Sequence, residues 1–171
     1  MTVSAPKNSN RMLLAAILVL IVIIGVFGYL NSRGEKLPEG SIRVKAGTNV
    51  LGDITLNEVK KLPVVNKKMV IDSSSGFTKH KFTCTPLLGV MNHLDPQIAK
   101  RYHKLITRGT DNYTSVIKME EVVSSNNVFL VYADNGKPLK GRTGQDTMRI
   151  VIINDMFGQR FTNYLVEIEL E

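Results

Sequence analysis

The chain has 171 residues, 43% of them hydrophobic, with 22 Lys and Arg against 15 Asp and Glu for a formal charge of +7. Its single cysteine, Cys84, excludes an intramolecular disulfide, so stability has to come from a packed core. No aromatic residues are interleaved with the lysine clusters for base stacking, and a nucleic-acid partner is not expected.

Met12 to Leu30 (MLLAAILVLIVIIGVFGYL) holds no charge. As a helix rising 1.5 Å per residue it reaches roughly 28 Å, about the hydrocarbon thickness of a bilayer. Ile, Val and Leu fall on every face, which is unlike the one-sided stripe of a buried core helix. Lys7 and Arg11 precede the run without an acid, whereas Arg33, Glu35 and Lys36 after it nearly cancel. The positive-inside bias predicts a cytoplasmic tail at 1–11, a single-pass anchor at 12–30, a linker at 31–40 and an extracytoplasmic domain at 41–171. The rival is a cleaved signal peptide, for which Val26-Phe27-Gly28 is a tolerable site, but the apolar stretch is longer than the roughly 7 to 15 residues such peptides use. The expected location is therefore the cell membrane.

Beyond the linker, Ser41–Ala46 (SIRVKA) alternates as a half-buried strand does. Thr55-Leu56-Asn57-Glu58 has capping-box spacing and predicts a helix from Leu56 to about Leu62, ended by Pro63. Lys67–Asp72 reads as a strand, Ser73 to Gly76 as a turn, and Thr78–Thr83 as the returning strand. Thr85 is placed as the cap of a helix beginning at Pro86, with Leu87, Leu88, Val90, Met91 and Leu94 toward the core. Asp95-Pro96 opens one further helical turn. Tyr102–Thr107 and Thr114–Met119 are predicted strands, followed by a short helix over Glu120–Val123. Val128–Ala133 and the connector Asp134-Asn135-Gly136-Lys137 signal a tight turn, since Asn-Gly adopts positive φ readily. Arg149–Asn154 and Leu165–Leu170 complete the set. The fold expected is α+β, mainly mixed β-sheet with short peripheral helices.

Chemistry-bearing patterns are few. There is no nucleophile elbow, phosphate loop or dinucleotide fingerprint, and Ser74 has no identifiable base. His80, His93 and His103 lack a spacing that would join them to each other or to a carboxylate, so no metal is expected there. Asn112-Tyr113-Thr114 fits a glycosylation sequon. Glu120, Glu121, Glu167, Glu169 and Glu171 read as solvent faces. Lysine clusters such as Lys60-Lys61, Lys67-Lys68 and Lys79 with Lys81 also read as solvated faces, with anionic lipid or cell-wall polymer as the partner a basic surface would favour.

The order of segments carries more information than any one of them. Ile54 to Pro63, then Phe82 to Leu88, Arg108-Gly109-Thr110-Asp111-Asn112-Tyr113, Asp134 to Leu139, Arg149 to Ile152 and Gly158 to Leu170 together resemble the oxidoreductase molybdopterin-binding domain, the sulfite-oxidase-like family. That resemblance implies a domain that grips molybdopterin, ligates molybdenum through one cysteine thiolate and transfers oxygen atoms or electrons. It implies Arg108, Arg149 and Arg160 as cofactor-binding cations, and Asp111 and Tyr113 as cleft residues. At the position of the ligating cysteine, however, this chain has Ser73, Ser74 and Ser75, and a hydroxyl that keeps its proton is a poor ligand. Gln145-Asp146-Thr147-Met148 stands where the family has His-Gly-x-Pro, and Asn163-Tyr164 where it has lysine and tryptophan. Only Asn10-Arg11 precedes the apolar run, where cofactor-loaded exported members carry a twin arginine. The reading this favours is a membrane-anchored binding or accessory module that has lost molybdenum ligation and binds no cofactor, with a membrane protein or a small anionic ligand as partner. The alternative is an active molybdenum-cofactor oxidoreductase with Cys84 as its metal ligand. Cys84 also reads as a small buried hydrophobe. A third reading is a structural cell-envelope domain that makes no use of the cleft.

Overall fold

A computed structural model describes residues 9–32, 37–38, 40–73 and 76–171, and it divides into two compact units, 1–36 and 37–171. Lys7, the charges at 33–36, and Ser74 and Ser75 lie outside the described residues.

In the first unit the apolar run forms one helix, α1 (Ser9–Ser32), longer than the predicted span by three residues before it and two after. Over Arg11–Tyr29 its mean hydropathy is 2.9, and no side chain of that window is buried in the protein. A helix apolar on all sides gains nothing from water. It is long and apolar enough to cross a membrane.

The second unit is α+β, as the sequence predicts, with two five-stranded sheets. The first contains β1 (Ser41–Ala46), β2 (Asn49–Thr55), β5 (Lys104–Gly109), β6 (Thr114–Lys118) and β10 (Leu165–Leu170), in the order β2-β1-β10-β5-β6. Only the β1·β10 pair is parallel. The second contains β3 (Val65–Ser73), β4 (Gly76–Pro86), β7 (Val128–Asp134), β8 (Lys137–Pro138) and β9 (Arg149–Ile152). Here β4 and β7 are central, and β8 and β9 share the far edge of β7. Thr162 joins the sheets: its hydroxyl is 2.6 Å from Thr107 Oγ1 on β5, and its carbonyl accepts from Ile150 N on β9. Side chains from both sheets, among them Ile42, Phe82, Leu105, Phe129, Ile150 and Ile168, fill one core.

Local chemistry explains most boundaries. At α2 (Leu56–Val59) the Thr55 hydroxyl accepts from Glu58 N while the Glu58 carboxylate accepts from Thr55 N, a reciprocal cap. The helix is shorter than predicted, and Lys60 is its cap. At the β7–β8 turn Asn135 and Gly136 have φ of 51° and 78°, which matches the strand twist. Three expectations are corrected. β2 was not foreseen: it returns after the Gly47-Thr48 turn, and Gly52 leaves space for Leu94, whose Cδ2 would lie 3.0 Å from a Cβ there. β4 runs three residues past Thr83, shifting register between Thr83 and Cys84. Thr85 is therefore strand, paired with Leu130, and α3 (Leu87–Leu94) starts after Pro86 with no side-chain cap. The short helices α4 (Ile98–Arg101) and α5 (Met119–Val123) stand where one helical turn after Asp95-Pro96 and a short helix over Glu120–Val123 are expected.

Candidate functional site

The Arg-Gly-x-Asp-x-Tyr segment forms the turn between β5 and β6. Gly109 N donates to Tyr113 O, Asn112 N donates to Gly109 O, and Asn112 sits at a φ of 62°. The Asp111 carboxylate accepts from Tyr113 N at 3.1 Å, so it closes the turn. Thr110 N donates to Tyr164 O, tying the turn to the entry of β10. The approach is tight enough that a Cβ on Gly109 would lie 2.3 Å from Asn163 O. Tyr113 is exposed, and its hydroxyl donates to the carbonyl of Gln159, next to Arg160.

Two of the predicted cationic residues already face carboxylates. Arg108 Nε lies 3.4 Å from Glu167 Oε1 across the β5·β10 pair. Arg160 Nη1 is 3.0 Å from both oxygens of Glu121, and its Nε is 3.2 Å from Asp155 Oδ2. Partial burial works against the Arg160 charge, but Glu121 and Asp155 more than offset it and raise the guanidinium pKa. The structure thus joins Asp111 to Tyr113 and brings Tyr113 beside the Arg160 segment, while the Arg108 and Arg160 guanidinium groups each engage acids of their own.

Arg149 differs. It leaves β9 and lies over the Phe82 ring, 5.8 Å from the ring centroid. Its Nε is buried and has no hydrogen-bond partner among the described residues. Burial pulls its pKa down, partly countered by the charge of Asp134 and by Tyr164. Beside it is a pocket of about 130 Å³ lined by Lys140, Thr147, Met148, Arg149, Asn163 and Tyr164, together with Leu139. Lys140 is held by Asp146 at 2.6 Å, and Arg142 lies over the Tyr164 ring at 6.0 Å. An unpartnered buried guanidinium donor on a pocket with a second cation is suited to a small anion.

Cys84 is fully buried on β4, where its thiol donates to Val65 O at 3.3 Å. Burial pushes the thiol up to about 11, against a smaller opposing effect of Lys67. The thiol should therefore resist aqueous thiol reagents at neutral pH and react only on unfolding. Its protonation also couples to stability. Below pH 9 the folded and unfolded states both hold the proton. Between about 9 and 11 the unfolded thiol ionises and the buried one does not. Stability should fall across that window by roughly 2–3 kcal/mol, a loss that a Cys84→Ala variant lacks. Denaturant titrations of both forms at pH 8 and 11 measure the difference.

One arrangement escaped the sequence reading, and it corrects the expectation for His80. On β4, His80 Nδ1 is 2.6 Å from Asp134 Oδ2 at the end of β7, and His80 Nε2 is 2.9 Å from Thr78 Oγ1. Its ring stacks on Phe82 with centroids 5.1 Å apart. Phe82 therefore contacts both His80 and Arg149. Among the described residues no group of three or more His, Cys, Asp or Glu side chains is placed to hold a metal.

No protein-family model matches the sequence, and no curated protein does. Among solved structures the chain is similar to the sulfane dehydrogenase SoxCD from Paracoccus pantotrophus, with a TM-score of 0.60 and 13% sequence identity. The likeness covers 76% of this chain and 37% of that one, so this chain spans little more than a third of its length. What the two share at this identity is the fold.

Proposed function

We propose that α1 anchors the chain in a cell membrane, amino terminus cytoplasmic, and that the domain is an extracytoplasmic binding or accessory module of sulfite-oxidase-like fold without molybdenum ligation. Its ligand is a small anion taken at Arg149. The anchor is supported by the length and all-round apolarity of α1 and by the basic residues before it. The fold is supported by the likeness to the sulfane dehydrogenase.

The observation that carries the reading is the state of the one thiol. A cysteine ligates molybdenum as a thiolate open to the metal. Cys84 is buried, protonated well above neutral pH and committed to Val65 O. The guanidinium groups of Arg108 and Arg160, which would grip a pterin phosphate, are engaged by carboxylates. This donor set does not fit the cofactor that the family resemblance implies. Arg149 is the exception, and a pocket of about 130 Å³ is small beside the roughly 300–1,000 Å³ of drug-sized sites. It suits an oxyanion of a few atoms.

Elemental analysis and pterin fluorescence on full-length protein from its native membrane test the reading. Molybdenum and pterin well below one per chain are expected, with Cys84→Ser leaving both unchanged. Stoichiometric metal lost in Cys84→Ser would establish the oxidoreductase alternative. Titration calorimetry with sulfate and phosphate should give binding that Arg149→Gln weakens at least tenfold, the loss of a charged hydrogen-bond donor.

A further inference from the structure

The β3–β4 hairpin has two unlike faces. Its register pairs Lys68 with Lys81, Val70 with Lys79 and Asp72 with Phe77, and alternation puts these six residues on one face. The other face carries Met69, Ile71, His80 and Phe82, which turn toward the body of the domain. On the outer face Phe77 is 76% and Val70 50% exposed. Beside it, Met156 O accepts from Asp72 N, and Met156 and Phe157 are 64% and 59% exposed. Four large apolar side chains thus gather near the hairpin end. Lys79 stands level with Val70, and Lys68 and Lys81 stand behind it, none of the three in an ion pair among the described residues. Asp72 is the one acid on this face and is half-buried.

The order of these residues is a depth order. At ~3.3 Å per residue, Lys79 lies about 7 Å and Lys81 about 13 Å behind Phe77 along β4. Peripheral elements sink apolar groups roughly 5–10 Å into the headgroup and acyl boundary. Phe77 at that depth leaves the lysines among lipid phosphates, where their charge is attracted. The connection from Ser32 to Leu37 is short, which keeps a bilayer at high effective concentration for an anchored domain.

We infer that the outer face of the β3–β4 hairpin, with Met156 and Phe157, is a second membrane contact that docks the domain on an anionic bilayer. This rests on the anchor reading. The chain has no tryptophan, so Phe77→Trp places one reporter at the contact. Full-length protein is reconstituted in nanodiscs containing phosphatidylglycerol and lipids brominated near the glycerol end of the acyl chain. Emission should be lower than in unbrominated discs, because an indole sunk at the interface meets the brominated segment. Lys68→Glu, Lys79→Glu and Lys81→Glu together should abolish the effect, as should replacing phosphatidylglycerol with phosphatidylcholine. Tyr29→Trp, within α1, reports the anchor separately. Quenching there without quenching at Phe77→Trp overturns the inference and leaves the anchor standing, with a protein as the partner of this face. Equal quenching of Val116→Trp on β6 also overturns it, because contact would then be unspecific. No quenching of Tyr29→Trp removes the anchor reading and this inference with it.

Discussion

Replacing Phe82 with alanine is expected to destabilise the domain by ~3–5 kcal/mol. Phe82 is completely buried in β4, so its loss removes transfer free energy and leaves a cavity. More is lost at this position than hydrophobic area. The His80 ring stacks on Phe82, and the Arg149 guanidinium lies over it with Nε unpartnered. A guanidinium whose Nε is buried and unpartnered depends on its remaining contacts, and the aromatic ring is one of them. Without the ring, Arg149 loses that contact and water enters around it. Phe82→Leu keeps much of the volume but not the π system and should fall between the two. Phe77→Ala, by contrast, removes an aromatic side chain that the protein itself leaves exposed, and its unfolding free energy should stay within ±0.5 kcal/mol. Urea unfolding of the full chain in detergent, followed by circular dichroism, checks the ordering. If Phe82→Ala and Phe77→Ala had equal effects, the placement of Phe82 between His80 and Arg149 would be wrong.

The elements visible in the sequence were those whose signal is local. β1 and β10 begin and end at the predicted residues because Ser41–Ala46 and Leu165–Leu170 mix apolar and polar residues at short strand spacing, although each carries a register shift that interrupts strict alternation of buried positions. Thr55 with Glu58, and Asn135 with Gly136, carry their chemistry within four residues. What sequence reading missed depends on partners far along the chain. β2 contains Gly52 and Asp53, which break an alternating pattern, yet Asp53 is placed by Arg43 opposite, at 2.8 Å. Thr85 has the spacing of a cap, but the register with β7 draws it into the sheet.

The candidate site follows the same division. The turn at Arg108–Tyr113 was legible as a unit, and its residues do fold together. The electrostatics were not legible. Glu121 and Glu167 read as solvent faces, whereas Glu121 meets Arg160 from 39 residues away and Glu167 lies beside both Arg108 and Lys45. The His80–Asp134 contact spans 54 residues and exists only because β4 pairs with β7. No spacing rule applied to one segment finds a partner that a sheet supplies.

Gly109→Ala is the second large effect, and it reaches the site without touching it. The new Cβ would stand 2.3 Å from the carbonyl oxygen of Asn163 and 2.7 Å from Asp111 Oδ1. A side-chain end can rotate away, but a backbone carbonyl moves only with its chain. Asn163 is followed by Tyr164, held at a φ of 52° with its own carbonyl receiving Thr110 N. Both residues line the pocket at Arg149. Relief of the clash therefore displaces one wall of the proposed anion site. Overpacking of this kind costs about 1–3 kcal/mol and occasionally more, and the backbone contact puts Gly109→Ala at the upper end. Gly141→Ala provides the contrast. The atoms nearest its Cβ would all belong to the Gln145 side-chain amide, from 2.5 Å, and a side-chain end can swing aside. That variant should lose well under about 1 kcal/mol and keep its sulfate affinity. Gly109→Ala should lose stability and affinity together, measured by denaturant unfolding and by calorimetry on the same preparation. Loss of stability with unchanged affinity would separate the turn from the pocket and leave the Arg-Gly-x-Asp-x-Tyr segment with a purely structural role.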